Sequence, residues 1–298
     1  GTPMPAGPPP PALRWASGVA SDGIPAEPDL DGVQLPDVGE QAALARWREF
    51  VERALPEYGT DRDRPDLEGT SGLSAHLKYG EVHPRTLLAD LDRHPSKGAE
   101  VYRGELAWRD FYADVVWRQP TSAREHLRTS YGRMRFEQPG PTFEAWCEGR
   151  TGFPFVDAGM RQLRAVGWVH NRVRMVVASF LVEDLHLEWQ HGARYFMQRL
   201  RDADLPSNQH GWQWVAGSGT DPAPYFRVFN PVTQGLKFDP DGDYVRHYVP
   251  ELAHLPGAAA HEPWKHPQGY AHGYAQRVVD HGAERLDALA RFAEIKGT

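Results

Sequence analysis

A single cysteine, Cys147, rules out an internal disulfide in this chain, and with it any iron–sulfur cluster held by four of its own thiolates. No run of about 18 or more apolar residues occurs, so no membrane-spanning helix is expected. The N-terminus shows no charged region followed by an apolar one, the pattern of a secretory signal. Alternation of apolar and polar residues, the mark of a half-buried strand, is almost missing, as is any internal repeat. Metal-ligand spacing is missing too. His254, His261, His266, His272 and His281 in the tail lack thiolate or acidic partners at ligand distance in sequence, so they are expected at the surface, with no metal bound. These absences leave an all-α protein in a soluble, reducing, cytoplasmic setting as the expectation; a monomer is expected as well.

An excess of positive charge is lacking as well, since the net charge is −7. On its face that argues against nucleic acid, but the distribution reverses the reading. Residues 1–70 hold 6 Lys+Arg against 13 Asp+Glu, which accounts for the whole imbalance. Residues 161–201 hold 7 arginines against 3 acids. A local positive face on a mildly acidic chain can bind phosphates.

What is present is apolar and aromatic: 40% hydrophobic residues with 10 tryptophans, ample for a sizeable core. Residues 1–40 are rich in Pro and Gly, with a polyproline tract from Pro8 to Pro11, and read as a connector. Residues 41–298 read as one helical domain. Apolar positions follow helical spacing from Glu40 to Ala54 and, with Val101, Leu106, Phe111, Val115 and Val116, from Ala99 to Trp117. Further helices are expected at 158–166, 169–185, 187–200 and 278–295, while 118–153 looks looser.

Four places carry chemistry. Thr70-Ser-Gly-Leu-Ser74 opens a short helix with clustered hydroxyls, which suit an N-cap and equally suit a phosphate. Glu105, Trp108, Arg109 and Tyr112 fall at i, i+3, i+4 and i+7, a mixed stripe suited to a pocket wall or to an exposed salt-bridged face. On the 169–185 helix, Asn171, Arg174 and Ala178 share one face, with Met175 nearby. Finally, Asp202-Ala-Asp-Leu-Pro-Ser-Asn-Gln-His-Gly-Trp-Gln-Trp214 sets two acids, an amide and two indoles close together. Planar rings beside a few polar groups suit a flat heteroaromatic ligand, or an ordinary core loop with two buried tryptophans.

Phe153-Pro-x-Val-Asp-Ala-x-Met-Arg-Gln-Leu163, Gly167-Trp-x-His-Asn-Arg-Val-Arg-Met175, Arg194-Tyr-Phe196, Asp202-x-Asp-Leu205, Asn208, Gly211-Trp-Gln-Trp214 and Pro224-Tyr-Phe-Arg-Val-Phe-Asn-Pro231 resemble the DNA photolyase/cryptochrome family, most of all bacterial class I cyclobutane pyrimidine dimer photolyases. The likeness covers roughly residues 40–298 in unbroken order. It implies a multi-helix FAD-binding domain, with the family's N-terminal α/β antenna domain and second chromophore expected to be absent from this chain.

On that resemblance, Tyr58, Thr70, Ser71, Leu73, Ser74 and Arg109 match positions that hold the cofactor's phosphates and ribityl chain. Asn171, Arg174, Asp202 and Asp204 match positions around the flavin, and Asn208 matches the residue at flavin N5. Arg174 and Asp202 are expected to form a bidentate pair. For the substrate, Trp108 and Trp214 match the indoles that flank a flipped dimer, Glu105 its edge contact, Met175 the cavity wall and Arg227 a contact near the phosphodiester. Trp212, Trp189 and Phe136 match a three-member electron path, with phenylalanine where tryptophan is common and far harder to oxidise. Gly72 stands where relatives usually carry arginine or lysine, which removes a charge near the phosphates. The implied activity is light-dependent dimer repair in damaged DNA by electron transfer from reduced anionic FAD. The alternative is a cryptochrome-type photoreceptor without repair.

Overall fold

The computed structural model describes residues 35–220 and 227–296 continuously, with scattered positions from 12 to 33. Residues 221–226, and with them part of the Pro224–Pro231 motif, lie outside the described residues. Thirteen α-helices and no strand occur among the described residues. In order they are α1 (Glu40–Arg53), α2 (Tyr58–Asp61), α3 (Ser74–Lys78), α4 (Pro84–Leu91) and α5 (Lys97–Arg118). Then follow α6 (Pro141–Glu148), α7 (Pro154–Val166), α8 (Asn171–Ser179), α9 (Trp189–Arg199) and α10 (Leu205–Val215). The last three are α11 (Pro231–Phe238), α12 (Asp243–Tyr248) and α13 (His281–Lys296). None is long and apolar enough to cross a membrane.

Two apolar clusters fill the interior. The smaller gathers Trp47 and Phe50 of α1, Tyr58, Leu87, Tyr102 and Leu106, with rings in contact at 5.2–5.7 Å. The larger is built on α7 to α10, where Val169, Val173, Val176, Val177, Phe180 and Leu181 are all buried, as their spacing predicts. Gly159 lets α7 and α8 approach, since a Cβ there would lie 2.5 Å from Val173 Cγ1. Across the seam, Tyr112 of α5 stacks on His210 of α10 at 5.6 Å, and Arg172 pairs with Asp63 at 2.7 Å.

Several expectations need correction. The Asp202–Trp214 stretch is not a loop beyond Asp204. Asp204 caps the start of α10, accepting the Ser207 N–H, and Pro206 sits in the first turn, where its missing N–H costs nothing. The 169–185 helix is α8 continued by one π-helical turn, Phe180–Asp184. The looser 118–153 stretch contains α6, started by Pro141 and stopped by left-handed Gly149. Phe111, placed on the apolar side of α5, is exposed. His261 and His281 are buried, not superficial: His261 Nε2 lies 2.6 Å from the Asp239 carbonyl and His281 Nδ1 lies 2.6 Å from Asp184. In both cases a tertiary partner far away in sequence supplies what local spacing could not show.

Candidate cofactor and lesion site

Two cavities are lined in part by residues adjacent in sequence. One, of about 430 Å³, is lined by Arg46, Thr70, Ser71, Gly72, Trp168, His170 and Arg201 among others. The second, of about 150 Å³, is lined by Asn171, Arg174, Met175, Asp202, Asp204, Asn208 and Trp212 among others. Adjacent residues face opposite cavities, His170 with Asn171 and Arg201 with Asp202. The wall between them is tied by Arg201 N–H donating to the Gly167 carbonyl at 2.8 Å.

In the smaller cavity the polar groups are held by protein partners. Arg174 Nη2 donates to both oxygens of buried Asp202, at 2.8 and 3.1 Å, while its Nε donates to the Val169 carbonyl. The pair is therefore one nitrogen across a carboxylate rather than two parallel bonds, and it leaves neither charge uncompensated. Asn208 Nδ2 donates to the Ala193 carbonyl at 3.1 Å and to Gln209 Oε1 at 2.9 Å. Gln209 is oriented in turn, because its Nε2 donates to the Ala123 carbonyl. With its nitrogen committed, Asn208 has only an acceptor oxygen to offer a ligand.

The larger cavity has the opposite character. His170 is 2% exposed, and its Nδ1 accepts the Arg172 N–H at 3.2 Å, so the proton sits on Nε2, which has no partner. Burial pushes His170 down to about 4, opposed by Asp63 and assisted by Arg174, Arg172 and Arg62. The ring is neutral at pH 7 and presents one buried N–H donor.

Residues 102–294 match the family described as the FAD binding domain of DNA photolyase. The chain belongs to this family. It is 45% identical over 263 residues to the deoxyribodipyrimidine photo-lyase of Escherichia coli, a match covering 86% of this chain and 56% of the relative. The Streptomyces griseus deoxyribodipyrimidine photo-lyase is 40% identical, over 97% of this chain and 63% of the relative. A bacterial class III photolyase from Agrobacterium tumefaciens superposes with a TM-score of 0.86 at 41% identity, covering 92% of this chain and 60% of that one. A Synechocystis cryptochrome superposes at 0.80 with 30% identity, over 89% of this chain and 58% of that one. The chain thus spans little more than half the length of the first of these photolyase relatives.

The residues present fit the dinucleotide cofactor that the family name states. An orphaned buried donor, a fixed amide acceptor and a compensated ion pair line two adjoining cavities whose residues divide as the sequence divides them. Thr70 and Ser71 fall in the larger cavity, and Asn171, Arg174, Asp202, Asp204 and Asn208 in the smaller. The remaining expected holders lie around these. Arg109 Nη2 donates to the Leu77 carbonyl, Leu73 is buried, Ser74 is exposed, and Tyr58 is buried against Phe50 and Tyr102, which raises its phenol. Ser71 Oγ is already engaged by the Tyr102 hydroxyl at 2.9 Å and by the Leu73 N–H at 3.3 Å.

Of the expected lesion contacts, Met175 lines the smaller cavity, while Glu105, Trp108, Trp214 and Arg227 line neither. Trp108 is 52% exposed and stacks on Tyr112 at 5.8 Å, one turn along α5. Trp214, one turn from His210, lies under the Arg227 guanidinium at 4.7 Å. Glu105 pairs with Arg62 at 2.6 Å. Of the expected electron path, Trp212 lines the smaller cavity and packs edge-on against Trp146 and Phe196. Trp189 is fully buried and touches His126, which stacks on half-buried Phe136 at 6.1 Å and on Tyr131 at 6.4 Å. Sequence reasoning missed Arg46, Trp168, His170, Arg201 and His126. His170 and Arg201 adjoin residues it named, whereas Arg46 and His126 carry no local signal.

Proposed function

We propose that this chain is the flavin- and DNA-binding catalytic domain of a light-dependent lyase that splits cyclobutane pyrimidine dimers. One observation carries the reading. Exposed Trp108 and Arg227-capped Trp214 stand on two helices joined by the Tyr112–His210 stack, beside the cavity that holds Asn208. A half-exposed indole is costly to leave in water and useful for stacking a base, worth roughly 1–3 kcal/mol per base. Repair requires the lesion to leave the duplex stack, as photolyases do by base flipping, and these indoles give it flat partners.

Asn171, Arg174, Asp202, Asp204 and Asn208 would hold the flavin ring, and Met175 would line the wall beside it. The bound flavin supplies the light-driven one-electron chemistry. The chain's own residues exclude water, orient the lesion and offer Glu105 as the acceptor for its edge. Arg227 adds positive charge near the phosphodiester. Trp212 and Trp189 are easily oxidised rings leading inward from His126, and Phe136 at the outer end is not. The relatives named deoxyribodipyrimidine photo-lyase support the same reading.

The test uses the chain loaded with reduced FAD and an oligonucleotide carrying one dimer. Loss of the dimer under blue light and not in the dark is expected. An intact dimer after illumination of flavin-loaded protein overturns repair and leaves the cryptochrome-type photoreceptor, the reading that the Synechocystis superposition supports.

A further inference from the structure

The larger cavity gathers two guanidiniums that have no carboxylate partner among the described residues and one imidazole N–H with no acceptor. Arg46, on the face of α1 beside the Thr70–Ser74 turn, donates from Nε to the Ser71 carbonyl at 2.7 Å. Its guanidinium fills the space next to Gly72, where a Cβ would lie 2.2 Å from Arg46 Nη2. Gly72 has φ +61°, a left-handed conformation that glycine adopts without strain. Arg201 reaches the same cavity after α9, with Nη1 bonded only to the Val166 carbonyl at 3.2 Å.

Neither guanidinium has a carboxylate within ion-pair distance among the described residues. Of the two acids in the cavity wall, Glu49 is taken by Arg53 at 2.8 Å and Glu68 is exposed. The two cations feel each other: burial lowers the Arg201 guanidinium below its usual range, and Arg46 and Arg174 lower it further against Asp202. Beside them lies the orphaned Nε2–H of His170. Exposed Arg46, half-buried Arg201 and the buried His170 N–H converge on one cavity, an arrangement suited to a polyvalent anion. The Ser71 hydroxyl, which accepts the Leu73 N–H and contacts the Tyr102 hydroxyl, brings no charge to the cavity.

We propose that the larger cavity binds the diphosphate of the dinucleotide cofactor through Arg46, Arg201 and His170, with Arg46 delivering from α1 the charge that Gly72 does not carry. This rests on the flavin reading above. It also changes the expectation drawn from Gly72: phosphate affinity is not lost but moved to another element, and a glycine at 72 is what makes room for it.

The test titrates the full chain, freed of flavin, with FAD, ADP and riboflavin, following binding by calorimetry. Arg46→Ala is expected to weaken FAD and ADP about tenfold or more and to leave riboflavin unchanged, since riboflavin has no phosphate. Arg46→Gln, which keeps a donor for the Ser71 carbonyl, is expected to behave alike and guards against a folding defect. Unchanged FAD affinity in both Arg46 variants overturns the proposal, whether or not ADP weakens, and so does an equal loss for riboflavin. If the parent chain binds ADP in an Arg46-dependent way but no flavin, the functional reading fails and the anion site stands.

Discussion

Asn208 shows how one side chain's hydrogen bonds decide what it can do for a ligand. Its nitrogen serves the Ala193 carbonyl and Gln209, so its oxygen is the free end. Asn208→Asp would set a carboxylate against a carbonyl. The flavin-free variant is expected to lose about 1–3 kcal/mol of stability in chemical denaturation. In the loaded protein the added negative charge disfavours a reduced, anionic flavin, so the midpoint potential should fall. An unchanged potential would place Asn208 away from the flavin. Glu105 is the second residue whose role can be isolated. Its pair with Arg62 leaves its side chain 35% exposed, so Glu105→Ala should cost under about 1 kcal/mol of stability. Dimer repair per absorbed photon should nonetheless drop several-fold, with affinity for damaged DNA nearly intact, because an edge acceptor matters most as charge develops. Equal repair in variant and parent removes Glu105 from the lesion contact.

At the scale of elements, α10 brings the amide and both indoles into place, and its start depends on one carboxylate. Asp204 Oδ2 accepts the Ser207 N–H at 3.0 Å and the Ser207 hydroxyl at 2.6 Å. Asp204→Ala is expected to cost about 1 kcal/mol, read as a lower melting temperature of the flavin-free chain. A variant as stable as the parent would mean that packing alone fixes the helix start. The same helix shows where reading the sequence stops. The 3.6-residue period was legible in α1, α8 and α9, whose apolar faces are buried, and only partly in α5, where Leu106 is buried but Phe111 is exposed. It was hidden in α10, because Pro206 and Gly211 look like breakers and the helix turns polar and aromatic residues to both sides. Asp204, read as a ligand position, is also the cap, which local spacing allowed and the ring chemistry obscured. The residues of the smaller cavity were legible because they crowd into two short segments, 171–175 and 202–212. Arg46 was not, since α1 carries three arginines and only the tertiary approach of Gly72 distinguishes one of them.

At the scale of the whole molecule, the chain keeps its charges where ligands or distant elements need them. The positive face expected from the seven arginines of 161–201 is largely neutralised: Arg161, Arg172 and Arg174 are ion-paired with Glu251, Asp63 and Asp202, and Arg201 lines the larger cavity. Binding of damaged DNA is still expected to weaken with salt through the remaining cations, and Arg227→Ala should flatten the slope of log K against log[salt]; salt-independent binding would remove DNA as the partner. A buried carboxyl group makes a different contribution to the pH dependence of the fold. Glu183, in the π-helical turn, is wholly buried, accepts the Ser179 hydroxyl and has no partner for Oε1. Burial pushes its carboxyl well above the ordinary range, and neighbouring Asp184 pushes it the same way. Because the folded value exceeds the unfolded value of about 4.3, the folded chain binds more protons than the unfolded chain between the two. Stability contributed by this group is then present at low pH and lost as pH rises above about 4.3 toward the folded value. Glu183→Gln removes the titration and keeps an acceptor for Ser179. Asp184, bonded to His281, titrates in both proteins and is coupled to Glu183, so the comparison reads Glu183 together with its effect on Asp184. The variant is therefore expected to gain on the parent between pH 5 and pH 8 in denaturation midpoint, by as much as about 1.4 kcal/mol for each pH unit in which only the folded parent stays protonated. Parallel pH profiles for the two proteins would show that Glu183 is not protonated preferentially in the folded state.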